Sequence, residues 1–243
     1  MFKKKKISRS LAKDDISRII SDKTPFAISE SFRALQTNVL YLPIADKCRK
    51  IAVTSSVASE GKTYVSINLA ITLASNSNKK VLLLDMDMRM TRVKALLQYR
   101  MPEAKNANGL SEYLVGIDNE PNIMSSHIDN LDILFSGKKN SNPVGLINSE
   151  KMATLFETLS EKYDYIIIDT PPVNMVTDAL LILDKVNGYI LSARANYSTI
   201  NSLVSATNTI KNVGGEIFGV VLTSVASQKI GSYDKVYPNG EYI

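Results

Sequence analysis

The sequence predicts an α/β fold in which a mostly parallel sheet is covered by helices on both faces. Short apolar runs rich in β-branched residues recur along the chain, as expected of strands buried on both faces. Between them lie segments with apolar residues three and four positions apart, a spacing that indicates amphipathic helices. This alternation is typical of a parallel sheet. The predicted strands are 50–54, 80–84, 131–135, 165–168, 188–193 and 217–222, and the predicted helices are 28–42, 62–75, 92–99, 109–115, 145–161, 177–184 and 198–213.

The length of 243 residues, 44% of them hydrophobic, suits one substantial domain. We expect this domain to cover 28–225, after a basic N-terminal arm over 1–27 that contains a short helix near 12–21. Residues 226–243 are polar and lack periodicity, so we expect a flexible C-terminal tail. The net charge of +5 includes four lysines at 3–6, which form either a solvated terminus or a site attracted to an anionic membrane or nucleic acid.

The rare residue types exclude several kinds of site. Cys48 is the only cysteine and His127 the only histidine, which excludes a disulfide framework and a cysteine metal cluster and argues against a histidine-based triad. No run of 18 apolar residues occurs, and no apolar segment follows the basic start. We therefore expect neither a membrane span nor a signal peptide. A chain without disulfides fits the cytoplasm.

A phosphate-binding loop is predicted between the first strand and the helix that follows it. The segment ends in Gly61-Lys62-Thr63, which matches the end of a P-loop. Backbone N–H groups of such a loop face phosphate oxygens, while the lysine reaches the β- and γ-phosphates and the threonine hydroxyl ligates Mg²⁺. Serine stands at positions 56 and 59, where glycine is often found. The residues predicted to contact ATP are Ser56, Val57, Ala58, Ser59, Glu60, Gly61, Lys62, Thr63 and Tyr64.

Two further strands end in aspartates. The run Val81–Leu84 is followed by Asp85 and Asp87, and the run Tyr165–Ile168 by Asp169. Ligands of open α/β sheets bind at the carboxyl ends of the strands, and an aspartate after four apolar residues is the form that positions Mg²⁺ in P-loop proteins. Together with the loop, these motifs predict a P-loop NTPase fold with an ATP-Mg²⁺ site.

The order of these motifs resembles that of the bacterial tyrosine kinases, or BY-kinases, which regulate capsule and exopolysaccharide synthesis. The resemblance extends from about residue 28 to the C-terminus and includes a GLSxxLxG-like segment at 109–116 and a DTPPV segment at 169–173. It implies an ATP-dependent protein tyrosine autokinase encoded apart from its membrane adaptor. The segments that carry it are Asp85–Arg89, Gly109–Gly116, Ser136–Met152 and Asp169–Ala179.

The resemblance also implies roles for individual residues. Asp85 is the candidate acceptor of the tyrosine hydroxyl proton, and Asp87 would support the metal or the nucleophile. Arg89 would pair with a phosphate or with a nearby acid. The implied catalytic residues are Lys62, Asp85, Asp87, Arg89 and Asp169, and the implied Mg²⁺ ligands are Thr63, Asp85, Asp87 and Asp169.

Adenine contacts are expected from the ends of the last two strands. In similar proteins the base is approached from the loop after the last strand, which corresponds here to Thr223 and Val225. Thr223 stands where asparagine is frequent in those proteins. Arg194, at the end of the preceding strand, is a further candidate.

The tail carries the predicted phosphoacceptors. Tyr233, Tyr237 and Tyr242, three of the eleven tyrosines, fall within the last eleven residues. An extended tail of 15–20 residues reaches roughly 50–70 Å, far enough to enter the site of a neighbouring subunit. Glu30 and Arg33 resemble the start of an ExxRxxR motif, which implies a ring-like homo-oligomer, although Gln36 replaces the second arginine.

The resemblance implies two partners besides the chain itself. One is the cytoplasmic segment of a membrane adaptor of the polysaccharide co-polymerase type, which would recruit the chain to the inner face of the membrane, and the other is a cognate phosphotyrosine phosphatase. No specific nucleic acid is expected. Two alternatives stay open: a ParA/MinD-like ATPase switch, although Val57 occupies the position of its signature lysine, and a non-catalytic nucleotide-binding adaptor.

Overall fold

The computed structural model describes residues 18–140 and 142–225, which form a seven-stranded sheet in the order β3-β4-β2-β5-β1-β6-β7. All neighbouring strands are parallel except β3, which pairs antiparallel with β4. The predicted mostly parallel α/β sheet is therefore confirmed. The strands are β1 (Arg49–Ser55), β2 (Val81–Asp85), β3 (Met124–Ser125), β4 (Leu131–Leu134), β5 (Tyr165–Asp169), β6 (Gly188–Arg194) and β7 (Ile217–Thr223).

Seven α-helices and two short 3-10 helices connect the strands of the described residues. The 3-10 helices are Pro102–Asn106 and Leu183–Lys185. The α-helices are α1 (Phe26–Leu40), α2 (Lys62–Ser77), α3 (Arg92–Leu97), α4 (Leu110–Leu114), α5 (Pro143–Ile147), α6 (Glu150–Lys162) and α7 (Ile200–Asn212).

Successive residues of the buried strands face two different cores. In β1, Ile51 and Val53 lie in the core beneath α1, α2 and α3, whereas Ala52 lies in the core beneath α4 to α7. β2 repeats the pattern, with Leu83 in the first core and Leu82 in the second. Because both faces are covered, the strands read as continuous apolar runs, and this explains why they could be recognised from sequence.

Two of the predicted helices are wrong in form. The single helix expected over 145–161 is divided at Asn148, because Ser149 begins a new helix by accepting the Met152 N–H at 3.2 Å. The helix expected over 177–184 is not formed. Instead, the amides of Leu180 and Leu183 donate to carbonyls three residues earlier, which gives tight turns ending in a 3-10 helix.

The chain before α1 is fixed to the domain rather than separate from it. Ile19 is buried in the first core, and the side chain of Asn68 on α2 bonds both to the Ile20 N–H and to the Arg18 carbonyl, at 2.9 and 3.0 Å. The guanidinium of Arg100 donates to the carbonyls of Ile19 and Ile20. The boundary expected between residues 27 and 28 thus falls inside α1, and the packed domain begins upstream of it.

Parallel strands place their carboxyl ends at one edge of the sheet. β1 lies between β5 and β6, and β2 lies beyond β5, so the loops after these strands meet at that edge. The P-loop and both aspartate motifs lie there, as expected for ligand sites in open α/β sheets.

Residues 18–21 of the helix expected near 12–21 are not helical, and its remainder lies outside the described residues. Within those residues, no helix combines the length and apolarity needed to cross a membrane.

Candidate functional site

The P-loop follows β1 and ends at the first residue of α2. Gly61 has a φ of +92°, a backbone conformation that favours glycine, and a Cβ there would lie 3.0 Å from both Cγ2 and Oγ1 of Thr223. Lys62 and Thr63 are the first two residues of α2. A helix N-terminus that follows a loop of this kind is suited to bind phosphate.

The two serines that replace glycine occupy different environments. Ser56 is fully buried, and its hydroxyl lies 2.8 Å from a carboxylate oxygen of Glu60. Ser59 is exposed and has a φ of +67°, the left-handed conformation that is unfavourable for a residue with a Cβ. The glycine often found at position 59 would therefore relieve strain, whereas Ser56 makes a bond that glycine could not make.

Lys62 connects two of the predicted aspartates. Its Nζ lies 2.9 Å from Oδ2 of Asp87 and 3.5 Å from Oδ2 of Asp169. Burial alone would lower the pKa of Lys62, but the negative charges of Asp169 and Asp87 outweigh that effect and raise it. The lysine is therefore held as a cation at the mouth of the loop.

Asp169 lies at the end of β5, beside the first turn of α2. It accepts a hydrogen bond from the Thr63 hydroxyl at 2.8 Å, and the Ser66 hydroxyl lies 3.1 Å from its other oxygen. Burial raises the pKa of Asp169, while Lys62 and the Thr63 hydroxyl partly offset this rise. The sequence motif with Thr63 and Asp169 thus corresponds to a direct contact.

Asp85 is as deeply buried as Asp169. It ends β2 directly opposite Asp169 of β5, is fully buried, and accepts bonds from the Ser136 hydroxyl at 2.9 Å and from the Asp87 N–H at 3.2 Å. Burial, with the nearby charge of Asp169, raises the pKa of Asp85 well above that of an ordinary aspartate. A strongly shifted carboxylate at the edge where ligands bind is a candidate functional group.

Arg89 pairs with an acid, one of the two possibilities left open by its sequence. Its Nε and one terminal nitrogen bond to the two oxygens of Asp178 at 2.8 and 2.9 Å, a bidentate pair with a fully buried carboxylate. Asp178 lies in the turns where a helix was expected. The pair joins the loop after β2 to the segment after β5, and this positions Asp87 relative to Asp169.

The donors in this site suit Mg²⁺ in part. Thr63 and Asp169 supply hard oxygen ligands beside Lys62, and Mg²⁺ is normally bound by one or two carboxylates together with substrate phosphates and water. Within the described chain, no three acidic, histidine or cysteine side chains form a metal-binding cluster by themselves. The arrangement therefore fits a metal that arrives with nucleotide phosphates, held mainly by Thr63 and Asp169.

The residues expected to contact adenine lie around a more open surface. Arg194 donates to the Ser59 carbonyl at 3.4 Å and lies 5.5 Å from the ring of Tyr197. The Thr223 hydroxyl lies 2.8 Å from the Glu60 carbonyl, so it stabilises the backbone of the P-loop. Val225 is the last described residue. Tyr64 packs against the first core, although the sequence placed it among the nucleotide contacts.

The proposed assembly motif is divided between two faces of α1. Glu30 and Arg33 form an ion pair of 2.5 Å on the exposed surface of the helix. Gln36, however, is 6% exposed and accepts a bond from Asn76 of α2 at 3.3 Å. The glutamine that replaces arginine therefore joins α1 to α2.

The predicted acceptors Tyr233, Tyr237 and Tyr242 lie outside the described residues.

Sequence reasoning missed four polar residues of the site. Ser66 contacts Asp169, Ser136 contacts Asp85, and Ser198 and Ser202 contact the P-loop. Only Ser66 could have been found locally, because it lies four residues after Lys62 on the same helix face. The other three approach the site from distant segments of the chain.

Comparison with known families and proteins finds similarity to nucleotide-binding domains and to tyrosine kinases. The family described as AAA domain matches residues 48–218. Among curated proteins, the tyrosine-protein kinase CpsD of Streptococcus pneumoniae is 34% identical over 197 residues, which cover 81% of this chain and 84% of CpsD.

Solved structures give the same result. The kinase domain of the Escherichia coli tyrosine kinase ETK is 30% identical with a TM-score of 0.73, and the match covers 82% of this chain and 78% of that one. A chimerical protein called CapA2B2 is 33% identical with a TM-score of 0.72, covering 82% and 85% of the two chains. The cell division ATPase MinD of Pyrococcus furiosus, 22% identical with a TM-score of 0.59 over 77% and 79% of the chains, shares the fold alone.

Proposed function

This chain belongs both to the AAA-domain family and to the bacterial protein-tyrosine kinases, and from that premise we propose that it transfers phosphate from ATP to its own C-terminal tyrosines. The observation that carries the proposal is the contact of Lys62 with both Asp87 and Asp169 beside the P-loop. A lysine held charged between two carboxylates, at the N-terminus of a helix, is suited to stabilise charge on a transferring phosphoryl group.

The proposed roles follow from the position of each side chain. Lys62 binds the phosphates, and Thr63 with Asp169 holds Mg²⁺, which would neutralise developing charge when bound. Asp85 takes the proton from the tyrosine hydroxyl, since it ends β2 opposite Asp169 at the edge of the sheet where the P-loop lies. Asp87 supports the metal or the incoming hydroxyl, and the loop that bears it is fixed by Arg89.

The proposed acceptors are Tyr233, Tyr237 and Tyr242, modified in trans by a neighbouring copy. A mixing experiment tests this directly. One chain carries Lys62→Met and an intact tail, and the other carries an intact site with all three tail tyrosines changed to phenylalanine. We expect mass spectrometry after incubation with ATP and Mg²⁺ to find phosphotyrosine on the tail of the Lys62→Met chain. Its absence, when the wild-type chain is phosphorylated, would contradict transfer between copies.

Assembly is proposed to involve the exposed pair Glu30 and Arg33 on α1, in a ring-like homo-oligomer. The partner that activates the chain is proposed to be the cytoplasmic segment of a membrane adaptor, which would recruit it to the inner face of the membrane for control of polysaccharide synthesis. A cognate phosphatase would reverse the modification. An adaptor peptide should increase the yield of phosphotyrosine, and full activity without the peptide would contradict this dependence.

The same assay separates the proposal from its two competitors. ATP hydrolysis without phosphotyrosine, stimulated by DNA, would indicate an ATPase switch of the ParA/MinD type. Binding of a fluorescent ATP analogue without transfer, even with the adaptor peptide present, would indicate a non-catalytic nucleotide-binding module. The buried carboxylates around Lys62 favour catalysis over a non-catalytic binding module.

A further inference from the structure

Glu60 is a glutamate buried within the phosphate-binding loop itself. It is 0% exposed, although burying a carboxylate is costly unless its oxygens are hydrogen-bonded. It also lies one residue before Gly61, where it would repel nucleotide phosphates if its charge faced them. Within 18–140 and 142–225, no ion pair with lysine or arginine involves Glu60. Its role must therefore be sought in the hydrogen bonds it accepts.

The carboxylate accepts bonds from the start of the P-loop and from outside the loop. Its Oε2 accepts the Val57 N–H at 2.9 Å, and the Ser56 hydroxyl lies 2.8 Å from Oε1 and 3.0 Å from Oε2. The Ser198 hydroxyl donates to Oε1 as well. These donors offset the cost of burying the negative charge.

The backbone carbonyl of Glu60 is held separately. The Ser192 hydroxyl on β6 donates to it at 2.7 Å, and the Thr223 hydroxyl at the end of β7 lies 2.8 Å from it. Glu60 is thus bound to both strands that border the open side of the site. A loop fixed in this way loses less conformational entropy when it binds phosphate.

Ser198 extends these contacts to the loop between β6 and α7. Its hydroxyl accepts the Arg194 N–H at 2.7 Å while donating to Glu60, so that one side chain closes the turn after β6 and fixes it to the P-loop. The Ser56 hydroxyl is also 3.1 Å from that of Ser202, on α7. With the longer bond from the Arg194 guanidinium to the Ser59 carbonyl, three contacts connect the phosphate loop with the segment 194–202.

We propose that Glu60 is a positioning residue that holds the P-loop in its phosphate-binding conformation and couples nucleotide binding to the order of the β6–α7 loop through Ser198. The inference rests on the proposed function only as far as ATP binding, since it concerns affinity and not transfer. Coupling of this kind is reciprocal. If a ligand that orders residues 194–202 strengthens ATP binding by some factor, ATP strengthens the binding of that ligand by the same factor.

The test measures binding of a fluorescent ATP analogue with Mg²⁺ to four variants. Glu60→Ala removes all the side-chain bonds and is expected to weaken binding about tenfold, because the loop is no longer preorganised. Glu60→Gln keeps an acceptor for the Val57 N–H and can donate to the Ser198 hydroxyl, so it is expected to stay within about threefold of wild type. Ser198→Ala removes the bond to Glu60 and the acceptor of the Arg194 N–H but leaves the contacts of Ser202 and Arg194 with the loop, so the expected loss is about threefold.

The matched control is Ser205→Ala, an equivalent change on the exposed side of α7 that should leave the dissociation constant unchanged. The kinetic constants give a second readout. In Glu60→Ala the KM for ATP should rise while kcat stays within about threefold of wild type, since the catalytic carboxylates are not touched.

Hydrogen exchange separates positioning from simple stability. In the wild type, ATP should slow amide exchange both in 56–61 and in 194–199, whereas in Ser198→Ala it should slow exchange in 56–61 far more than in 194–199. The proposal is overturned if Glu60→Ala binds like wild type, or if ATP protects both segments equally in Ser198→Ala. If the wild type binds ATP but forms no phosphotyrosine, the kinase proposal fails and this one stands.

Discussion

The two halves of the nucleotide site are built in contrasting ways. The phosphate half, formed by Lys62, Asp87 and Asp169, has side chains at most 10% exposed and fixed by direct contacts. The base half, at the ends of β6 and β7, presents Arg194 and the half-exposed Tyr197 and Leu222. Preorganised charge in a buried setting is worth more than the same charge near water. We therefore expect substitutions in the phosphate half to have far larger effects than those in the base half.

The largest effect is expected for Lys62→Met. The change removes the cation between Asp87 and Asp169, and loss of one preorganised charge of this kind costs about 100-fold or more in rate. Phosphotyrosine formation with saturating ATP measures it. The buried aspartates also lose their partner, so the variant should unfold more easily, and the assay must be run where circular dichroism shows it folded.

A matched control for this prediction is Lys79→Met. Lys79 is exposed and pairs with Asp164 at the amino ends of the strands, far from the carboxyl edge. It should retain wild-type activity, because an exposed pair contributes at most about 1 kcal/mol and is screened by salt. If Lys62→Met and Lys79→Met lost the same activity, the loss in Lys62→Met could not be assigned to the buried charges of the phosphate half.

An intermediate effect is expected for Arg89→Lys. Lysine keeps the charge but cannot bond to both oxygens of Asp178, which is fully buried. We expect a loss of about 1–2 kcal/mol in the free energy of unfolding and a decrease of about tenfold in kcat, because the loop bearing Asp87 shifts. Chemical denaturation and steady-state kinetics measure the two quantities.

The neighbouring Arg92→Lys provides the comparison for Arg89. Arg92 begins α3 with an exposed side chain, and no ion pair is formed by it within the described residues. The same exchange of arginine for lysine should therefore leave both stability and kcat unchanged. If Arg92→Lys were as damaging as Arg89→Lys, the bidentate pair would not be the cause.

How much of this site could be predicted depended on the sequence distance of each contact. Lys62 and Thr63 were recognisable from the Gly-Lys-Thr motif, and Asp85 and Asp169 because each ends a continuous apolar run. The serine partners of the two aspartates are not marked in this way, since Ser136 reaches Asp85 across 51 residues and no local pattern marks it.

The errors in the fold have similar physical causes. Residues 177–184 have helical spacing, but the pairing of Asp178 with Arg89 and the bond from the Tyr189 hydroxyl to the Ala179 carbonyl hold them in turns. β3 has only two residues, too few for any periodicity. Gln36 looked like a weakened surface motif, whereas its burial against α2 depends on a helix packing that one sequence does not reveal.

A small gain is expected for Ser59→Gly in the P-loop. Glycine adopts the φ of +67° without the steric cost borne by serine, so the free energy of unfolding should rise by about 0.5–1 kcal/mol. Ser205→Gly, in the exposed part of α7, should instead lower it by about 0.5 kcal/mol because glycine weakens a helix. Thermal unfolding of both variants tests whether stability rises in one and falls in the other. A lower stability in both would contradict strain at Ser59.

The smallest effect on activity is expected for Arg194→Ala in the base half. Arg194 has one long bond to the Ser59 carbonyl and one contact with the Tyr197 ring, and an exposed contact of a cation with an aromatic ring contributes about 0.5–1 kcal/mol. The KM for ATP should therefore rise about two- to fivefold with kcat unchanged, measured beside Lys211→Ala at the exposed end of α7. A loss comparable with that of Lys62→Met would mean that nucleotide binding depends on the base half as much as on the phosphate half. A change in KM alone would place Arg194 with nucleotide binding, where its sequence position first suggested it.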